Sequence, residues 1–254
     1  MQPLEDRTRT LRYEVLLVLA VSLGASAVYS IVSIIARLTA PQALSQQTAT
    51  LNASQAPGRP YLDLTLQLLG IGFDVVPALF AVHLLQRDPG HVREILGLDA
   101  TRPAFDLGFG ATLAALIGIP GLGLVYAATK LGINAKIVPA ALPEVWWALP
   151  VLVLAAAQNA VLEEVVVVGY LLTRLREMGW GRWPALAASA VLRGSYHLYQ
   201  GFGGFIGNAI MGLIFGYFFQ RTKRVLPLVI AHTLLDVVSF VGYALLRDKL
   251  SFLR

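Results

Sequence analysis

Apolar stretches long enough to cross a lipid bilayer constrain this sequence more than any other feature. The first runs from about residue 11 to residue 38, which exceeds the roughly 20 residues that a transmembrane helix needs. Strands of a membrane β-barrel need only about 10 residues of alternating character, so apolar stretches of this length favour helices. Charged residues make up 14% of the chain, against roughly 25% in soluble domains, which excludes an ordinary soluble enzyme and a disordered chain. We therefore predict an all-α fold, a polytopic transmembrane helical bundle.

Seven apolar segments can be delimited, so the bundle should contain seven helices, or eight if a further helix or a re-entrant segment is present. The segments run approximately over residues 11–38, 61–86, 105–129, 146–173, 184–200, 205–219 and 225–246. The polar stretch 41–60, rich in Gln, Ser, Thr and Ala, is typical of a flexible extramembrane loop. We divide the chain into N-terminal transmembrane helices with this loop, residues 1–140, and a C-terminal helical core, residues 141–254.

The basic residues lie mostly at the ends of the apolar segments, where they act as topology signals and not as a phosphate-binding patch. With seven spans, four arginine-rich regions fall on one side of the membrane, at residues 7–12, 87–102, 174–182 and 221–224. The positive-inside rule then predicts a multi-pass protein of the cell membrane with a cytoplasmic N-terminus. Arg247, Lys249 and Arg254 depart from this pattern. We expect the lipid bilayer, and no nucleic acid, among the partners.

The last third of the chain places ionisable side chains within otherwise apolar helices. Each such group costs about 2.5–3.5 kcal/mol at the bilayer centre, so it normally faces a bundle interior or a wet cavity and marks function. Residues four apart share a helix face, as do Asn159 with Glu163 and His232 with Asp236. Packing alone needs fewer such groups, so we predict one site near the middle of the membrane. Its candidates are Glu163, Glu164, Arg193, His197, His232 and Asp236.

This cluster could activate water in two ways. A carboxylate in an apolar pocket can act as a general base, while two imidazoles polarise a carbonyl or stabilise an oxyanion. Two histidines and one glutamate are also a ligand set of catalytic zinc, which here would be Glu163, His197 and His232. The cofactor therefore stays open between zinc and none. The chain has no cysteine and no HExxH or GxSxG motif, which argues against thiol catalysis, a zincin and an acyl-enzyme mechanism.

The motifs on these helices resemble those of the CPBP family, which comprises the CAAX prenyl proteases and the bacteriocin-processing intramembrane proteases, also called the Abi family. The family pattern is a Glu-Glu pair followed by xxxR, then FxxxH on the next helix and HxxxN or HxxxD on a later one. The resemblance covers about residues 145–246, where the three motifs read EEVVVVGYLL, RGSYH and HTLLD.

The resemblance implies an intramembrane endopeptidase that acts on a membrane-associated peptide or a membrane protein. It implies that Glu163 activates the hydrolytic water and that Glu164 orients the site. It also implies that His197, His232 and Asp236 bind the scissile carbonyl, stabilise the oxyanion or ligate a metal. Both a metalloprotease and a metal-free glutamate protease agree with this pattern.

Two positions depart from the family pattern. Val168 stands where the family has Arg, and Arg193 stands where it has Phe. We predict that Arg193 supplies the missing guanidinium and pairs with Glu164; the alternative is that it pairs with Asp236 or reaches a polar cavity. Two other functions stay open, namely a catalytically weak scaffold or immunity-type regulator, and a proton-coupled transporter. The transporter is disfavoured because the sequence contains no inverted repeat.

Overall fold

The computed structural model describes residues 4–88 and 92–247 and is mostly helical. A π-helical segment, Glu164–Tyr170, joins two of the helices, and short 3₁₀ turns lie at Leu44–Gln46 and Leu198–Gln200. Two strands, β1 (Thr48–Ala53) and β2 (Lys136–Ala141), form a parallel pair. The α-helices are α1 (Leu4–Ala20), α2 (Leu23–Leu38), α3 (Pro60–Asp74), α4 (Val76–Gln86), α5 (Val92–Leu96), α6 (Pro103–Lys130), α7 (Ala148–Glu163), α8 (Leu171–Glu177), α9 (Arg182–Ser195), α10 (Phe202–Thr222) and α11 (Leu226–Leu246).

Five helical stretches are long and apolar enough to cross a membrane, and α1 with α2, bent by 55° at their junction, would make a sixth. The expected seven or eight spans are therefore not confirmed within the described residues. The shortfall lies at α9, which has 14 residues and is too short to span a bilayer. The five spans are Pro60–Gln86, Pro103–Lys130, Ala148–Glu177, Phe202–Thr222 and Leu226–Leu246.

The span expected at residues 184–200 ends early, at Ser195, because the chain turns back into α10. The turn depends on Gly201, whose φ of 117° is a conformation that residues with a Cβ avoid. A Cβ at Gly201 would also lie 2.5 Å from the carbonyl oxygen of Ile133. The turn after α9 therefore lies inside the fold, against the segment that leads into β2.

The polar stretch 41–60, expected to be a flexible loop, contributes strand β1 to the sheet. Thr48 pairs with Lys136, whose backbone N–H donates to the carbonyl of Gln47 over 2.8 Å. One residue before β2, the N–H of Ala135 donates to the carbonyl of Gln200 over 3.0 Å. The sheet is thus fastened directly to the turn that follows α9.

Two buried arginines fasten the helices on the side away from the sheet. Arg174 in α8 is 1% exposed, and its Nε donates to Glu14 of α1 over 2.7 Å. Its Nη1 donates to Glu177 over 2.8 Å. Arg224, between α10 and α11, donates from two nitrogens to the carboxylate of Asp106 in α6, each over 2.7 Å. Buried guanidinium groups need such partners, so these ion pairs fix how α1, α6, α8 and α11 meet.

Candidate active site

Three segments bring the predicted residues together inside the bundle. Glu163 ends α7, and Glu164 begins the π-helical segment, in which every residue is buried. Arg193 lies in the last turn of α9, and its side chain is fully buried. His232 is buried on α11. Buried ionisable groups must be paired, and these four side chains pair with one another.

Glu163 is held by one of its two carboxylate oxygens. The hydroxyl of Tyr196 donates to Glu163 Oε2 over 2.8 Å, and Arg193 Nη2 lies 3.2 Å from the same oxygen. Both of these polar contacts are made to the same oxygen, Oε2. The carboxylate is therefore oriented through Oε2, and Oε1 is the oxygen that can face a water molecule.

Glu164 is fully buried and connects Arg193 to His232. Arg193 Nη2 donates to Glu164 Oε1 over 2.7 Å, which is the pairing expected from the sequence. His232 Nδ1 lies 2.8 Å from the same oxygen and 3.1 Å from Arg193 Nη2. Arginine has no acceptor, and a carboxylate oxygen accepts, so a proton on Nδ1 is donated to Glu164. Glu164 thereby directs the other ring nitrogen of His232, Nε2, away from itself.

Asp236 lies at the outer part of the site, one helical turn beyond His232. Its Oδ1 is 3.8 Å from His232 Nε2, and its Oδ2 accepts a hydrogen bond from Asn159 Nδ2 over 3.3 Å. The Asp236 side chain is 20% exposed, whereas that of Glu164 is fully buried. Asp236 therefore contacts Asn159 and His232, while the guanidinium of Arg193 is directed to the two glutamates.

His197 follows α9 and is half-buried. Its Nδ1 lies 3.0 Å from the carbonyl oxygen of Arg193. Because a carbonyl only accepts, Nδ1 carries the proton and Nε2 is the nitrogen that a substrate or metal can meet. His197 is thus oriented by the backbone of the residue that anchors the glutamates.

The donor atoms that lie closest together differ by one residue from the zinc ligand set expected from the sequence. Glu163, Glu164 and His232 each offer a donor within 4.8 Å of the others, so Glu164 stands in place of His197. Carboxylate and imidazole donors suit zinc by type. However, Arg193 Nη2 already lies 2.7–3.2 Å from all three residues. This trio does not fit a zinc ion while the guanidinium is there.

Two features of the site were not anticipated from the sequence. Tyr196 is 5% exposed, and its hydroxyl contacts Glu163 directly. The only sequence signal for it is its position immediately before His197. The π-helical geometry of residues 164–170 has no residue signature in the run of valines, although such segments often occur at functional sites.

Comparison with protein families supports the motif interpretation. Residues 145–238 match the model of the family described as type II CAAX prenyl endopeptidase Rce1-like. Over this segment, the chain is therefore similar to that family. No match was found among curated proteins or solved structures. All six candidate residues lie within the matched segment. The five apolar spans support a multi-pass membrane protein.

Proposed function

We propose that this protein is an intramembrane endopeptidase that hydrolyses a peptide bond with a water molecule activated by Glu163. The observation that carries the proposal is the one-sided anchoring of Glu163 by Tyr196 and Arg193 through Oε2. A general base must be oriented with an oxygen within reach of the proton that it removes. The substrate would be a membrane-associated peptide or a membrane protein, and prenylated CAAX peptides are the first class to test because of the family match.

The residues of the site account for each step of hydrolysis. Glu163 takes a proton from water as the water oxygen attacks the scissile carbonyl carbon, and it later gives that proton to the leaving amine. His197 and His232 hold their Nδ1 protons in hydrogen bonds, so only their doubly protonated imidazolium forms would carry an Nε2–H. These Nε2–H groups would donate to the tetrahedral oxyanion, as in other hydrolytic sites that stabilise developing charge. Glu164 and Asp236 orient His232 from either side of its ring.

The arginine distribution supports a location in the cell membrane with a cytoplasmic N-terminus. In this orientation, the sheet lies on the outer side and the Arg174 and Arg224 ion pairs on the cytoplasmic side.

This function can be tested before the substrate is identified. Cells that produce the wild-type protein or Glu163→Ala are compared by mass spectrometry of peptides and new protein termini. Peptide ends that appear only with the wild-type protein would support the proposal and define a cleavage sequence for synthesis. Identical peptide profiles would contradict it.

Loss of the Tyr196 hydroxyl should slow the reaction without weakening substrate binding. A hydrogen bond to a charged group contributes about 1.5–3 kcal/mol, so Tyr196→Phe should lower kcat about 10- to 100-fold with KM nearly unchanged. The matched control is Tyr199→Phe, because the Tyr199 hydroxyl accepts a hydrogen bond from Gln200 and not from a candidate catalytic group. Steady-state cleavage of the identified sequence measures both constants. Equal kcat values for the two variants would contradict the role of Tyr196.

Removal of metal ions should leave the activity unchanged. The guanidinium of Arg193 occupies the position between Glu163, Glu164 and His232, and the proposed mechanism uses no metal there. Wild-type protein dialysed against EDTA and 1,10-phenanthroline should cleave at its original rate, within about twofold, while a zinc protease would lose its catalytic ion. Inactivation that added zinc reverses would overturn the metal-free mechanism.

A further inference from the structure

One nitrogen of Arg193 lies at the centre of the acidic cluster. Its Nη2 is 2.7 Å from Glu164 Oε1, 3.2 Å from Glu163 Oε2 and 3.1 Å from His232 Nδ1. These are three side chains whose donor atoms are close enough together to hold a metal ion. The guanidinium therefore occupies the position that a metal ion would take among these three donor atoms.

The surrounding residues make room for this side chain. A Cβ at Gly212 would lie 3.1 Å from Arg193 Cδ, so the glycine leaves space for the arginine stem. The ring of Phe215 lies 5.5 Å from the guanidinium carbon, within the range of a cation–π interaction. The Arg193 side chain is thus part of the packed interface between α9 and α10.

Guanidinium and metal ion exclude each other at this position. Zinc binds carboxylate oxygen and imidazole nitrogen at about 2.0–2.2 Å, so an ion on the same three residues would lie against Nη2. Arginine stays protonated and offers no lone pair, so it cannot become a ligand. A proton on His232 Nδ1, donated to Glu164, would also have to leave before that nitrogen could bind metal.

We propose that Arg193 is the resident cation of this cluster, and that its removal converts Glu163, Glu164 and His232 into a binding site for a divalent metal ion. Without the guanidinium, two buried carboxylates lose the cation that contacts them both, and burial of unpaired charge is strongly unfavourable. A divalent cation would balance both. Glu164 Oε2 is buried and has no hydrogen-bond partner among the described residues, so it supplies a second carboxylate oxygen.

The inference is tested by metal binding and does not use peptidase activity. Full-length wild-type, Arg193→Gln and Arg193→Met proteins are purified in detergent without metal and titrated with Zn²⁺, and with Co²⁺ for its visible absorption. Wild-type protein should bind no stoichiometric metal at the cluster, whereas both variants should take up about one equivalent. Metal should raise the Tm of the variants by roughly 5 °C and leave that of the wild type unchanged.

Two controls separate the cluster from other metal-binding groups. Arg193→Lys keeps a cation and should resemble the wild type, while His232→Ala added to Arg193→Gln removes one ligand and should abolish the new site. Stoichiometric zinc in the wild-type protein would overturn the inference. So would folded variants that bind no metal, or variants that fail to fold even when produced with zinc. A failure of the proposed peptidase function would show instead in the Glu163 variants.

Discussion

Glu163→Gln is expected to abolish most of the peptidase activity while the bundle stays folded. General-base catalysis contributes about 10²–10⁴-fold, and an amide cannot take the proton of the attacking water. The amide oxygen can still accept the hydrogen bond from Tyr196, which is 2.8 Å from Glu163 Oε2. The substitution therefore removes basicity with little change in packing. The protein is reconstituted in liposomes, and the rate at which it cleaves the sequence identified by mass spectrometry is measured together with the Tm.

The matched control for this variant is Glu144→Gln. The Glu144 side chain is 86% exposed and lies outside the cluster, so its loss should change the rate by less than about twofold, as expected for an exposed surface substitution. If Glu163→Gln cleaves as fast as the wild-type protein, the peptidase proposal is wrong. A scaffold, a regulator or a proton-coupled transporter would then explain the buried cluster better.

Arg193→Phe should cause the largest loss of stability. The guanidinium is fully buried and contacts both glutamates, and removal of one partner from a buried ion pair costs about 3–5 kcal/mol. The free energy of unfolding, measured with a chelator present so that no metal replaces the cation, should fall by that amount. Unchanged stability would show that the two carboxylates are not held by Arg193.

Adding Val168→Arg to Arg193→Phe should restore part of the stability and activity. This exchange rebuilds the family arrangement, with the Arg four residues after Glu164 and the Phe on the next helix. Val168 is fully buried and lies four residues after Glu164 in the π-helical segment. Val168→Arg alone is the control, because it adds a second buried guanidinium and should destabilise the protein. If the double variant is no more stable than Arg193→Phe, the two positions do not compensate for each other.

The sequence was sufficient to predict which buried ionisable side chains cluster, because ionisable residues are conspicuous in apolar helices. Spacings of four placed Asn159 with Glu163, and His232 with Asp236, on shared helix faces. The departures from the family motif at Val168 and Arg193 suggested that Arg193 pairs with Glu164. The pairing is present at 2.7 Å. The roles of the six residues in catalysis remain predictions.

Other features could not be predicted because they depend on contacts that are distant in the chain. Tyr196 is an ordinary aromatic residue by composition, and its importance arises from the position of Glu163 on another helix. Strand β1 forms because β2, far along the sequence, lies next to it. The early end of α9 depends on Gly201 lying against Ile133, which no local helix propensity reveals.

The π-helical segment sets the rotation about the helix axis of one half of the Ala148–Glu177 span relative to the other; this span is the longest of the five. Glu163 precedes it, and Arg174, anchored to Glu14, follows it. One residue added or removed between them would turn one half of the span by about 100° relative to the other. The Glu163 carboxylate would then leave the cluster, while Arg174 kept its ion pair with Glu14. The four consecutive valines after Glu164 are chemically interchangeable, but their number is not. In this run, the number of residues determines where Glu163 lies, whereas elsewhere in the site the identity of each side chain matters.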